Sequence, residues 1–281
     1  MKITIGIPAY NEEKNIAPII TKLKEITDSI IVCDDGSSDM TSKISQDLGA
    51  RVVTHEKNMG YGAAIKSIFL EAKQIQPDIL VTFDADGQHN VEDIEKVIVP
   101  IQKSTSDIVI GSRFLNEKNK EIPRYRKVGI KTITGLTNTL TGTKISDAQS
   151  GFRAYSKKTL EKITPSDDGM GVSTEILIKS SKLGLIITEV PIKVNYEGDT
   201  STHDPISHGT SVILSTLKFT SIHNPLKFYG IPGLIFLIIG LGFAAWTIQI
   251  YSVEQQIITN ISLIGIGCVV LGSIFLMTAV I

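Results

Sequence analysis

The chain has 281 residues, with 28 Lys plus Arg against 29 Asp plus Glu and a formal net charge of −1. That balance, with no basic stripe, argues against a nucleic-acid binder, and two cysteines, Cys33 and Cys268, cannot form a disulfide framework. Glu254 is the only charged residue from Phe228 to Ile281, so a water-adapted part precedes an apolar one that is too hydrophobic for a disordered tail.

In chain order, residues 2–7 read as a strand, which Pro8 and Asn11 interrupt before it could serve as a secretory signal. Residues 15–27 predict a helix, with Asn15 as N-cap and Pro18 tolerated in the first turn. A strand follows over 29–33, then a helix over 40–48 that Gly49 ends. Strands over 51–55, 79–83 and 108–110 alternate with helices over 62–73 and 91–102, and a further helix is expected over 174–183. Strand–helix alternation with nearly continuous apolar strands implies an α/β fold: a mostly parallel, Rossmann-like sheet covered on both faces. In such sheets ligands bind beyond the carboxyl ends of the strands.

Residues 228–250 and 257–281 carry no charge, and each run exceeds the roughly 20 residues needed to cross a bilayer core of about 30 Å. With the polar turn at 251–256 between them they read as a two-helix transmembrane hairpin; the alternative is a pair of helices buried in a large soluble core. Lys218 and Lys227 flank the entry and the turn has no basic residue, so both hairpin ends and the N-terminal domain are expected in the cytoplasm. Between them, Val212, Ile213, Leu217, Ile222 and Leu226 recur at mostly helical spacing. This segment reads either as an amphipathic helix on the membrane face or as an ordinary domain helix, and its place beside the hairpin favours the membrane. The expected organisation is a catalytic domain over 1–205, an interface segment over 206–227 and the hairpin over 228–281.

The predicted strand ends are rich in polar groups. The first runs into Pro8-Ala-Tyr-Asn-Glu-Glu13, the second into Asp34-Asp-Gly-Ser-Ser-Asp39, the fourth into Asp84-Ala-Asp-Gly-Gln-His89 and the one near 110 into Gly111-Ser-Arg113. Turn chemistry accounts for any one of these; four converging on one edge of a sheet point to a polar ligand. Asp84 and Asp86, two apart on a turn, suit a hard divalent cation such as Mg2+ or Mn2+, which leaves coordination positions for phosphate oxygens. The loop is not an EF-hand, since Gly87 comes too early, and the chain has neither a Walker loop nor a Rossmann fingerprint.

Taken with Asn58-Met-Gly-Tyr-Gly62, Ser150-Gly-Phe-Arg153 and Glu189-Val-Pro-Ile192, these blocks resemble family-2 glycosyltransferases of the GT-A fold, of the polyprenyl-phosphate type that includes dolichyl-phosphate mannose synthases. The resemblance covers about residues 1–195 and extends to the hairpin. It implies transfer of a sugar from a nucleotide-diphosphate sugar, GDP-mannose in the first place, to dolichyl or other polyprenyl phosphate at a cell or internal membrane. UDP-glucose and UDP-N-acetylhexosamine are the alternative donors, and the oligomeric state is open. It further implies that Pro8, Tyr10, Glu12, Cys33, Asp35, Asp84, Ala85 and Asp86 line the donor. Asp84, Asp86 and Gln88 would hold Mg2+ or Mn2+, Asp86, Arg113 and Arg126 would carry the reaction, and Arg113, Arg126, Ser150 and Arg153 would meet the acceptor. Simpler readings stand beside these: Tyr10 as a half-buried aromatic, Cys33 as strand packing, and Arg124 and Arg126 as surface charges near headgroups, while Glu175 reads equally as a helix cap or as a residue facing the pocket. The related enzymes often have a basic residue after the last strand, where this chain has His203 and His208.

An acceptor phosphate is already anionic at neutral pH, so no strong general base is needed, and in-line attack with inversion is expected. A processive polysaccharide synthase would need a Gln-x-x-Arg-Trp block, yet the only tryptophan is Trp246 in the first apolar run. A sugar-nucleotide pyrophosphorylase would need a glycine-rich start. A membrane-anchored scaffold with an inactive transferase domain is the non-enzyme alternative.

Overall fold

The computed structural model describes residues 1–115, 124–194, 221, 225–256 and 258–280, apart from the side chains of 124–126. The chain divides into two compact units, residues 1–216 and 217–281. The interface segment expected over 206–227 therefore lies almost wholly outside the described residues, as do His203 and His208.

The first unit is built on one seven-stranded sheet. Its strands are β1 (Ile3–Ala9), β2 (Ile30–Asp34), β3 (Arg51–Thr54), β4 (Ile79–Thr82), β5 (Ile108–Ser112), β6 (Arg153–Ser156) and β7 (Ile187–Pro191), in the order β3-β2-β1-β4-β6-β5-β7. All pairings are parallel except those of β6, which runs antiparallel to both β4 and β5. The helices are α1 (Ile16–Leu23), α2 (Thr41–Asp47), α3 (Tyr61–Ile75), α4 (Ile94–Gln102), α5 (Arg124–Thr141), α6 (Lys157–Lys162) and α7 (Val172–Lys182). A 3-10 turn, Val91–Asp93, leads into α4, with the Asn90 side chain accepting from the Glu92 N–H.

Alternation along the strands divides the core between the two faces. Ile5, Ile7, Val32 and Val81 pack with Ile16, Ile20 and Leu23 of α1 and Val97 and Ile98 of α4. Ile31, Cys33 and Leu80 pack on the other face with Ile65, Ile68 and Phe69 of α3 and Ile176 of α7. The expected β1–β5 and α1–α4 are present, with ends shifted by one to four residues. The antiparallel β6 is the departure from the parallel pattern. Its register, Thr82↔Arg153, brings the residues before Arg153 alongside the end of β4.

The second unit is a helical hairpin. A π-helical stretch, Leu226–Gly230, leads into α8 (Ile231–Glu254), and α9 (Thr259–Val280) returns. Gln255 turns the chain in the left-handed region. Both helices are long and apolar enough to cross a membrane. Away from their mutual contact their apolar side chains are open, with Ile238 60% and Ile266 61% exposed, which is unlike a pair of helices buried in a soluble core and suggests membrane association. The helices meet through glycine. A Cβ on Gly240 would lie 2.7 Å from Val269 Cγ2, and one on Gly272 would lie 2.8 Å from the Gly233 carbonyl oxygen, whereas at Gly242 and Gly267 it would meet nothing within 4 Å. Small residues allow this approach where the surroundings supply no hydrophobic drive between helices.

Gly240→Leu and Gly272→Leu should therefore lower the thermal transition of the hairpin in detergent, by an overpacking cost of about 1–3 kcal/mol each. Gly242→Leu and Gly267→Leu should leave it within experimental scatter. Equal effects at all four positions would count against glycine-mediated packing.

Candidate functional site

β1 and β2 end side by side, with Ala9 paired to Asp34 and the Asp35 N–H donating to the Ala9 carbonyl at 2.9 Å. The loops beyond them are stapled together. Asn11 adopts φ 55°, and its Oδ1 accepts from the Ser38 N–H at 2.8 Å, while the Glu12 N–H donates to Thr41 Oγ1 at 2.8 Å. Pro8 is buried in β1 and Tyr10 stands exposed at its end. The Glu12 carboxyl titrates above its ordinary value: burial raises it, the Asn15 amide opposes, and the charges of Asp86 and Asp39 raise it further. Glu12 therefore feels the β4 loop across the gap between β1 and β4, the place where the strand order reverses direction.

Asp35 is buried. Its Oδ1 lies 2.6 Å from His55 Nδ1 and accepts from the Met59 N–H at 2.9 Å, and its Oδ2 accepts from the Gly60 N–H at 2.8 Å. A carboxylate only accepts, so Nδ1 is the donor, which leaves Nε2 facing Ser67 Oγ at 2.8 Å. Three of roughly four acceptor positions on Asp35 are thus filled from within. Its first role is to hold the turn that starts α3. The Cys33 thiol is fully buried and pushed up to about 12 by burial and then by the Asp35 charge, so its side chain is packing.

α3 begins with Tyr61, whose Oη donates to Asp84 Oδ1 at 3.2 Å; His89 Nε2 meets Oδ2 at 3.3 Å. The His89 ring is held against Phe83 and Phe152, with centroids 5.8 and 5.2 Å away. Burial opposes ionisation of Asp84, but the hydrogen bond and charge of His89, the Tyr61 hydroxyl and the charge of Arg113 outweigh it and hold its carboxyl below the ordinary value. Burial, then the Asp84 charge, pushes the Tyr61 phenol well up, which keeps it a donor. The β6 register sets Gly151 against this pair: a Cβ there would lie 2.3 Å from Tyr61 Oη and 2.8 Å from Asp84 Oδ2. Ala85 is buried, and Asp86 Oδ1 accepts from the Gln88 N–H at 3.0 Å across Gly87, whose φ is +72°. The Gln88 side chain is buried too. Among the described residues no three His, Cys, Asp or Glu side chains converge as a protein-only metal cage.

Arg113 follows β5. Its Nε and Nη2 donate to the two oxygens of Asp147 at 2.6 and 2.8 Å, and its main-chain N–H adds a third bond at 3.2 Å. Asp147 is fully buried, and although burial opposes it, Arg113 holds its carboxyl below the usual range. The Arg113 charge also bears on Asp84.

Two expected roles change. Arg153 is 1% exposed, and its guanidinium donates to the carbonyls of Ser150, Ser173 and Ala148 at 2.8 Å each. It braces the loop from behind instead of offering its charge to an acceptor, because it is buried and its guanidinium is taken up by these carbonyls. Glu175, which the sequence left between cap and pocket, accepts from the N–H groups of Ser166 and Asp167 and pairs with Lys179, so it anchors the loop before α7. Ser150 Oγ is buried without a hydrogen-bond partner among the described residues. The Arg126 side chain lies outside the described residues, although its main chain is in the first turn of α5. Tyr61, His89, His55 and Asp147 had no assigned role in the sequence, although the blocks around Tyr61 and His89 pointed to their neighbourhood.

A family model for glycosyl transferase family 2 matches residues 4–164. The chain is 38% identical over 233 residues to the UDP-N-acetylglucosamine–dolichyl-phosphate N-acetylglucosaminyltransferase of Methanococcus voltae, with 75% of this chain and 91% of the relative covered, and 38% identical over 216 residues to a protein of Methanocaldococcus jannaschii, with 75% and 87% covered. It is 34% identical to the dolichol-phosphate mannosyltransferase of Pyrococcus furiosus, covering 68% of this chain and 56% of that one. Among solved structures, glucosyl-3-phosphoglycerate synthase of Mycobacterium tuberculosis in complex with Mn2+, uridine diphosphate and phosphoglyceric acid matches with a TM-score of 0.62 at 22% identity, over 78% of each chain. That likeness shows the GT-A fold.

The Arg113–Asp147 pair sets an expectation for stability. The depressed Asp147 carboxyl stabilises the fold above its unfolded value near pH 4 and loses that contribution as pH falls through its folded value. Arg113→Met leaves a buried carboxylate alone and should cost about 3–5 kcal/mol at neutral pH. The gap to the unaltered protein should already narrow as pH falls from about 7 to about 4, because the Asp147 carboxyl, buried without its cation, protonates at a higher pH in the variant than in the unaltered protein. Denaturant unfolding at pH 7 and pH 4 checks this; a gap independent of pH would refute it.

Proposed function

The chain belongs to glycosyl transferase family 2, and from that premise we propose that it is a membrane-anchored enzyme that moves a sugar from a nucleoside-diphosphate sugar to a polyprenyl phosphate of the dolichyl type. The observation that carries this reading is the group of carboxylates Glu12, Asp84 and Asp86 at the strand ends, with the charge of Arg113 reaching Asp84, in a chain that continues into two bilayer-length helices. The acidic side suits a metal-bound diphosphate, the basic side an anionic acceptor, and the hairpin a lipid that stays in the bilayer.

The donor set fits a divalent metal. Two carboxylates with a third close by would repel a bare diphosphate, and Mg2+ or Mn2+ characteristically combines one or two carboxylates with substrate phosphates instead of requiring a protein cage. Asp84 and Asp86 would hold it, with Gln88 beside them, and bound there it would neutralise charge on the departing diphosphate. Tyr61 and His89 fix the orientation of Asp84, so that it need not reorganise during reaction. Tyr10 and Glu12 border the base and ribose, and Asp35 supports that wall through the turn before α3. Arg113, clamped by Asp147, orients the acceptor phosphate together with Arg126. A phosphate oxygen attacks the anomeric carbon as the bond to the diphosphate breaks on the opposite side, giving inversion. The phosphate is already ionised, so no general base is required.

For the sugar, the N-acetylglucosaminyltransferase relative, 91% of whose length is covered, moves UDP-N-acetylglucosamine ahead of GDP-mannose as the first donor to test. Lys227 at the hairpin entry and the lack of any basic residue in the turn favour a cytoplasmic catalytic domain.

The full-length protein, given Mn2+ or Mg2+, polyprenyl phosphate and a panel of UDP- and GDP-sugars, should yield one glycosylated lipid phosphate by mass spectrometry and lose activity in chelator. Asp86→Ala should reduce transfer by at least about a hundredfold, the scale of losing a charge-stabilising group, without changing the thermal transition. Full activity in that variant would reject the assignment of Asp86, and nucleotide release without a lipid product would reject the acceptor.

A further inference from the structure

β7 runs parallel to β5 with Ile110 opposite Glu189, Gly111 opposite Val190 and Ser112 opposite Pro191. The Glu189 carboxylate reaches past β5 to the loop behind Arg113. Its Oε2 accepts from the Ser146 N–H at 2.7 Å and its Oε1 from the Asp147 N–H at 2.9 Å. The two successive amides are thus clamped by one side chain, and the second belongs to the residue that grips Arg113 through Nε, Nη2 and the main-chain N–H. Ser146 is tied to β5 as well, with its Oγ 2.7 Å from Ser112 Oγ.

Ile192 finishes the same motif. Its N–H donates to the Ser112 carbonyl at 3.1 Å, and its side chain fills the space over Gly111, where a Cβ would lie 2.8 Å from Ile192 Cγ2. The main chain that carries Arg113 and the carboxylate that aims its guanidinium are therefore both referred to β7. Nothing in the proposed chemistry uses Glu189 directly, and burial, followed by the opposing bonds from Ser146 and Asp147, raises its carboxyl above the ordinary value. A half-buried acid beside the fully buried Asp147, whose like charge acts on it, is an expensive arrangement for packing alone.

We propose that Glu189 is a positioning residue for Arg113: by clamping the Ser146 and Asp147 amides it sets the Asp147 carboxylate, and through it the guanidinium that receives the anionic acceptor. This rests on the reading of Arg113 as the acceptor-phosphate contact. Among the described residues Glu189 is tied to the site through Ser146 and Asp147, on the acceptor side, so the acceptor should register its loss more strongly than the donor.

The test uses the full-length protein with Glu189→Gln, which keeps the size but turns an amide N–H toward one of the clamped N–H groups. KM for polyprenyl phosphate should rise about tenfold, the scale expected for a modest misplacement of a positioning group, while KM for the nucleotide sugar stays within about twofold. Glu189→Asp, too short to span both amides, should fold and show a smaller shift of the same kind. A second measurement needs no substrate: the fall in transition temperature caused by Arg113→Lys should be at least about halved in the Glu189→Gln background, because residues that act through one another are non-additive. Equal rises in both KM values, or additive transition temperatures, would overturn the positioning role. Absence of lipid product from the unaltered protein, with non-additivity intact, would overturn the acceptor reading and leave the positioning role standing.

Discussion

The antiparallel pairing of β6 with β4 is the constraint on which the cleft depends. It places Gly151 against Asp84, so closely that any side chain there would strike the Tyr61 hydroxyl and both carboxylate oxygens. The Thr82 hydroxyl locks the approach by donating to the Gly151 carbonyl at 2.6 Å. From that contact the order of the site extends in two directions. Toward β2, Tyr61 opens α3, whose preceding turn is held by Asp35 and, behind it, by His55. Toward β5, the loop before β6 is braced by the buried Arg153 and carries Asp147 to Arg113.

This arrangement separates two kinds of charge. Carboxylates gather where β1 and β4 end, and burial, with the charges of Asp86 and Asp39 adding to it, raises the Glu12 carboxyl. The guanidinium at the end of β5 is fixed by a partner that is fully buried. Such a pair contributes little net stability, because desolvating both ions offsets their attraction. What it supplies is a fixed direction for the Arg113 guanidinium. In the proposed reaction two anionic substrates would meet between a metal cation on one side and a fixed guanidinium on the other, an arrangement made by geometry instead of by net charge. In the second unit, glycines let the two helices approach while their outer faces stay apolar, which suits a segment whose surroundings are lipid.

Much of this was legible in the sequence. The first five strands and four helices follow from alternation and turn signals, and the hairpin from the absence of charge. The acidic and basic groups at the ends of β1, β2, β4 and β5 follow from the rule that parallel sheets bind ligands there. β6 and β7 were not legible. β6 is four residues long and carries Arg153, and β7 carries Glu189 and Pro191, so neither shows an apolar run that periodicity would detect. Their partners lie far off in the chain, and no local pattern encodes an antiparallel insertion.

By itself, the sequence determined which chemical groups the protein holds and which edge of the sheet carries them, because side-chain type and strand period are local properties. It could not say which of those groups face a ligand and which face the protein. Asp84 is shared by Tyr61, 23 residues away, and Asp147 serves Arg113, 34 residues away, while its own amide is held by Glu189 across 42. Only the tertiary structure decided that Arg153 is a brace, that Cys33 is packing and that Asp35 supports a turn. In each case burial removed water, and the side chain had to find its partners among groups that the fold alone brought within reach.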